Sequence, residues 1–186
     1  MKRIEWTELP QPARLVGTTD LAGMLGIDTK AAKKLMRSGL AGPAYELAPR
    51  GFYVPESPVL DELAGRDWLR APHVPAFVAR VGPPEIAPPG DGRAFLGWHA
   101  CLPEEQHDSY SRWWPAADPE ALVGGLFIAA IATFVVVVRR IEGFETGPGR
   151  LRAFDLAEAG DEGAPFRGAR IRTPPGGNTV LLPGSS

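Results

Sequence analysis

A single cysteine, Cys101, stands in the 186 residues. One thiol closes no intrachain disulfide, so the fold rests on a packed core, and a reducing cytoplasm is the expected compartment. Lysine is scarce, whereas arginine, alanine, glycine and proline dominate, a composition that points to a GC-rich bacterial genome. The first residues lack the apolar core of a signal peptide. No strong excess of charge exists either: the net of −2 excludes a polycation that coats nucleic acid along its whole length. The longest uncharged run, Ala121–Val138, stops short of the ~20 apolar residues that a spanning helix needs. It holds Gly124, Gly125 and four consecutive valines, so it reads as buried β-strand rather than membrane helix.

At 44% hydrophobic residues the chain has the material for a core. The 22 glycines and 20 prolines call for many turns and short strands in at least part of it. The expected class is α+β, with two units. Residues 1–12 form a polar lead-in with Pro10 and Pro12. Residues 14–66 make a first unit, 67–75 a linker whose Trp68 and Leu69 are candidates to pack on a neighbour, and 76–185 a β-rich second unit, a sandwich or a barrel. Strand candidates in the second unit are Ala76–Val81, Arg93–Ala100, Leu126–Glu142, Arg150–Leu156, Ala169–Arg172 and Thr179–Leu182. A brief helix starts at Asp118-Pro119-Glu120 and ends at Gly124-Gly125. No internal repeat is present.

Helix signals punctuate the first unit. Thr18 or Thr19 is placed to cap a short helix carrying Leu21, Ala22, Met24 and Leu25, and Gly26 to end it. Ile27 fills the corner that follows. Asp28 or Thr29 caps a second helix that runs to Ser38, with Gly39 as its stop. Tyr45–Leu47 and Phe52–Val54 read as a hairpin around Ala48-Pro49-Arg50-Gly51. Ser57-Pro58 opens a third helix, since proline at the first helical position loses no needed N–H.

The second helix carries the chemistry. Lys30, Lys33, Lys34 and Arg37 fall at i, i+3, i+4 and i+7, one face of a 3.6-residue helix, while Ala31, Ala32, Leu35 and Met36 take the other. One face packs and the other presents four cations. From Asp28 to Arg50 the net charge is +3, against −3 over residues 67–186. A local basic patch on an acidic chain suits a defined DNA-contacting element. Such cations meet phosphates and supply the salt-sensitive part of affinity, and Arg37 is the candidate to pair with guanine.

The segment "TTDLAGMLGIDTKAAKKLMRSG…RGFYVPESPVLDEL" resembles the winged helix-turn-helix of MerR-type regulators and phage excisionases, over about 50 residues. The resemblance implies that Lys30, Lys33, Lys34 and Arg37 face the DNA groove next to Thr29, and that Arg50 touches backbone at the wing tip. It departs in Glu46 and the two prolines of the wing region, and the second half carries no coiled coil of the MerR type. The function expected is that of a bacterial, nucleoid-associated, sequence-specific DNA-binding protein, a transcriptional regulator that acts as a homodimer. The alternative is a phage- or plasmid-type architectural protein whose second unit docks a protein partner.

Other clusters are weaker. His99, Cys101 and His107, with Asp108 nearby, lack the four tightly paired ligands of structural zinc, so neither metal nor other cofactor is expected. No orienting acid or oxyanion site supports a thiol nucleophile, so no enzyme is expected. Trp98, Tyr110, Trp113 and Trp114 suit an interface for a partner, a small-ligand pocket, or an ordinary core. Pro174-Pro175-Gly176-Gly177-Asn178 reads as a turn, without the lysine and following helix of a phosphate loop.

Overall fold

The computed structural model describes residues 14–47, 50–69, 74–103, 108–172 and 177–184. The lead-in at 1–12, His107, most of the 174–178 turn and the centre of the hairpin loop lie outside them. Among the described residues the architecture is α+β, with four short α-helices and a large mixed sheet.

The chain begins with strand β1 (Leu15–Gly17), helices α1 (Thr18–Leu25) and α2 (Thr29–Arg37), strands β2 (Tyr45–Leu47) and β3 (Gly51–Pro55), and helix α3 (Pro58–Gly65). The three strands form a small antiparallel sheet in the order β1-β3-β2. Gly26 ends α1 in the left-handed conformation (φ 61°), where glycine meets no Cβ clash. The Asp28 carboxylate then caps α2 by accepting from the Ala31 N–H at 2.8 Å. Neither Thr18 nor Thr19 caps α1: Gly17 holds that position. The Thr18 hydroxyl instead donates to the Phe52 carbonyl (3.4 Å), tying α1 to β3.

The second part contributes β4 (Trp68–Leu69), β5 (Ala76–Arg80), β6 (Glu85–Ile86), β7 (Phe95–Leu96), helix α4 (Asp108–Ser111), β8 (Trp114–Pro115), β9 (Leu126–Ile131), β10 (Phe134–Thr146), β11 (Leu151–Glu158), β12 (Arg170–Ile171) and β13 (Thr179–Leu182). The main sheet runs β13-β5-β9-β10-β11-β8, and β12 joins the start of β10 to β4. This is one branched mixed sheet with open ends at β13 and β8. The start of the expected linker is therefore a strand, since Trp68 and Leu69 pair in parallel with β12. Arg170 anchors that junction, its guanidinium 4.1 Å from the Trp68 ring and 4.7 Å from that of Phe134. Burial pushes its pKa below the usual guanidinium value. Of the strand expected over 93–100 only Phe95–Leu96 forms; Gly97 turns the chain away.

The run expected as one strand over 126–142 is a hairpin. Ile131 pairs with Phe134 across a two-residue turn, and Ala132 takes φ 56° there. Its two faces are buried separately. Phe127, Ala129 and Ile131 join Phe77, Ala79 and the buried faces of α1, α2 and α3 in one core. Leu126, Ile128 and Ala130 join Ala76, Val78, Phe166 and Ile171 in another. Adjacent strands β5 and β9 run parallel and are covered on both sides, which explains their unbroken apolar sequence. Phe77, Phe127 and Phe154 meet at 4.9–5.9 Å between ring centres in the first core.

Left-handed backbone burdens an alanine more than a glycine. Ala132→Gly is thus expected to stabilise the fold by about 0.5–1 kcal/mol and to raise the thermal midpoint by about 2 °C. A lowered midpoint in calorimetry would refute the strain assigned to this turn.

Candidate functional site

The amphipathic reading of α2 holds in three dimensions. Ala32, Leu35 and Met36 are buried in the first core, whereas Lys30, Lys33, Lys34 and Arg37 are exposed. Three of the four lysines of the chain (the fourth being Lys2) sit on this one face. Among the described residues no carboxylate forms an ion pair with any of these four cations. Lys34 and Arg37 occupy the last turn, where the helix dipole favours positive charge. Lys33 Nζ lies 5.2 Å from the centre of the Phe52 ring, which ties the basic face to β3. Thr29 is exposed in the first turn, and Arg50 is exposed in the turn between β2 and β3.

The basic face borders a cleft of about 620 Å3. Across it stand Arg80 at the end of β5, Arg93 before β7, and Arg112, Trp113 and Trp114 around the start of β8. These side chains are held from behind. Arg80 donates to the Gly177 carbonyl at 3.1 Å. Arg93 grips the Asp91 carboxylate, one arm at 2.8 Å, and the Arg112 carbonyl. Arg112 faces Asp108 at 3.2 Å and Glu145 at 3.5 Å. Trp114 Nε1 donates to the Tyr110 carbonyl at 2.6 Å. Trp113 covers Gly147, where a Cβ would come within 2.6 Å of the indole. Glu85 is the one carboxylate among the described residues lining the cleft.

Two close contacts set α2 against this wall. The Ala100 N–H donates to the Ser38 carbonyl at 2.9 Å, and Gly39 (φ 72°) lies where a Cβ would press 3.0 Å from the His99 ring. Gly97 (φ 92°) packs so closely on the Pro83 carbonyl that a Cβ would sit 2.5 Å away. Both positions require glycine.

The four aromatic candidates part company. Trp113 and Trp114 are half-buried and line the basic cleft. Tyr110 is buried, with its ring 6.3 Å from Phe127, and shares with Trp98 a second hollow of about 410 Å3 near β10. Cys101 is exposed, and its backbone N–H donates to His99 Nδ1 at 3.1 Å. Among the described residues no group of three or more His, Cys, Asp and Glu is placed to hold a metal ion. No described helix is long and apolar enough to cross a membrane.

Arg80, Arg93 and Arg112 were not candidates from the sequence, because nothing local marks them. They are 13 and 19 residues apart along the chain and meet only through the sheet and the loops at its end. No family model matches the chain, and no curated protein or solved structure matches it.

The hydrogen bond from Arg93 holds the Asp91 carboxyl below the usual carboxylate range. A carboxylate with a depressed pKa stabilises the fold above its unfolded-state pKa, and that contribution is lost as pH falls through the folded value. Asp91→Asn is therefore expected to be less stable than the native chain at neutral pH, with the gap closing as the solution is acidified through the carboxylate range. Urea melts at several pH values measure this, and a gap independent of pH would contradict the pairing.

Proposed function

We propose that the chain is a DNA-binding protein whose N-terminal part is a winged helix-turn-helix. In this reading α2 is the recognition helix, the β2–β3 hairpin is the wing, and α1 braces α2 across the Gly26-Ile27-Asp28 turn. The order of elements supports it: a short helix, a three-residue turn, a basic helix, and a hairpin closed by β1 into a small sheet. The observation that carries it is the set of four exposed cations on α2 with no carboxylate partner among the described residues. Elsewhere five arginines, Arg66, Arg93, Arg112, Arg139 and Arg140, face carboxylates. A face left uncompensated on such a protein is suited to phosphate oxygens.

Roles follow from position. Lys30, Lys33 and Lys34 contact phosphates, Arg37 reaches toward a guanine edge, Thr29 supplies a hydroxyl near the helix start, and Arg50 touches backbone from the wing. A helix of 9 residues reads few bases, so a regulator of this kind works as a dimer on two half-sites.

Fluorescence anisotropy with duplex DNA at two salt concentrations tests the reading. Four phosphate contacts correspond to a loss of affinity on the order of 100-fold between 50 and 200 mM salt. Lys33→Glu with Lys34→Glu is expected to weaken binding at least ~10-fold at low salt and to flatten the salt dependence, while Arg50→Ala has a smaller effect. Duplex affinity unchanged by the double substitution would exclude α2 as the contact surface.

A further inference from the structure

We propose that the cleft between α2 and the sheet seats a single nucleic-acid strand, with an unpaired base against Trp113 or Trp114. This rests on the nucleic-acid reading of α2 and goes beyond it, because it assigns the opposite wall.

One flank of the cationic face is walled by Arg80, Arg112 and the two indoles. A cleft of about 620 Å3 holds a short stretch of one strand and is far too small for a duplex. A strand lying in it meets cations from both sides, Lys33, Lys34 and Arg37 from α2 and the two arginines from the sheet.

The indoles supply what a purely electrostatic groove lacks. Every base has a π-face, so rigid aromatic surfaces beside a basic groove bind single strands with little regard to sequence. Both rings are fixed in place, Trp114 by its bond to the Tyr110 carbonyl and Trp113 by its seat on Gly147. Both keep surface open to the cleft. Arg112, held by Asp108 and Glu145, lies 5.9 Å from the Trp113 ring centre and is set beside the stacking surface before any ligand arrives.

The test uses the full chain and three probes at one low salt concentration: an oligothymidine of about 12 nucleotides, a blunt duplex of the same length, and inorganic polyphosphate. Oligothymidine is expected to bind at least ~10-fold tighter than the duplex and to quench tryptophan fluorescence, whereas polyphosphate competes without quenching. Arg112→Gln and Trp113→Leu are each expected to weaken oligothymidine binding about 10-fold and to change duplex binding less than about 2-fold. If Trp113→Leu does not fold, quenching of the native chain and the Arg112→Gln variant decide the matter. Duplex binding tighter than oligothymidine, or oligothymidine bound without quenching, would overturn the single-strand seat and leave the α2 reading standing. Failure of both DNA probes to bind would overturn the two together.

Discussion

The docking of the end of α2 on the loop at residues 97–101 fixes everything that concerns the candidate site. The Ser38 carbonyl, the Ala100 N–H and the Gly39–His99 contact make the junction. It pins the last turn of α2, while packing of Ala32, Leu35 and Met36 into the first core holds the rest of the helix beside the sheet. The junction depends on a glycine for a steric reason, since any side chain at position 39 would press into the imidazole. It also uses a carbonyl that the end of a helix leaves without an intrahelical partner. One peptide group therefore terminates the helix and attaches it to the second part of the molecule.

The platform beneath is a sheet buried on both sides. Period-2 alternation sends Phe77, Phe127 and Phe154 toward the helices, and Val78, Leu126 and Ile128 toward Phe166 and Ile171. A one-residue slip would send Phe77 and Phe127 into the space that Val78 and Ile128 fill, which two close-packed cores of different shape do not admit. Arg80 leaves the end of β5, so its position inherits that rigidity, whereas Trp114 lies on the edge strand β8 and is held by its bond to the Tyr110 carbonyl. Packing of the α1, α2 and α3 faces into the same core as Phe77 and Phe127 gives both walls one foundation.

Local chemistry made the N-terminal elements legible in the sequence. Gly26, Asp28, Gly39 and Ser57-Pro58 act within a few residues of themselves, and the spacing of the α2 cations needs no knowledge of the rest of the chain. The hairpin at 131–134 was hidden because its turn carries Ala132 and Thr133 where glycine or asparagine normally advertises a positive φ. The two strands it joins are apolar on both faces, so no alternation marked the boundary between them. The short strand at Trp68–Leu69 was read as linker because two residues carry no period at all. The cleft wall was illegible for a different reason. Arg80, Arg93, Arg112 and Trp114 converge through pairings between distant strands and through loops, and sequence spacing has no bearing on such contacts.

Charge separates the two walls of the cleft. On the sheet side each arginine has a partner: Gly177 for Arg80, Asp91 for Arg93, Asp108 and Glu145 for Arg112. All three are positioned, and Arg93 and Arg112 are partly neutralised. On α2 the cations are unpaired among the described residues and are held only by their stems and, for Lys33, by the Phe52 ring. Exposed like charges on neighbouring turns repel by a few tenths of a kcal/mol per pair at low ionic strength. Such neighbours lie closer together than the Debye length of about 8–10 Å, so salt screens them only in part, and an anion in the cleft would relieve the repulsion more completely. The helix thus keeps a small unfavourable term in the free state that an anion bound as proposed would remove. Fixed arginines on the other side lose little freedom when the anion arrives. In the proposed complex orientation would come from the sheet and driving force from the helix, and neither wall alone would supply both.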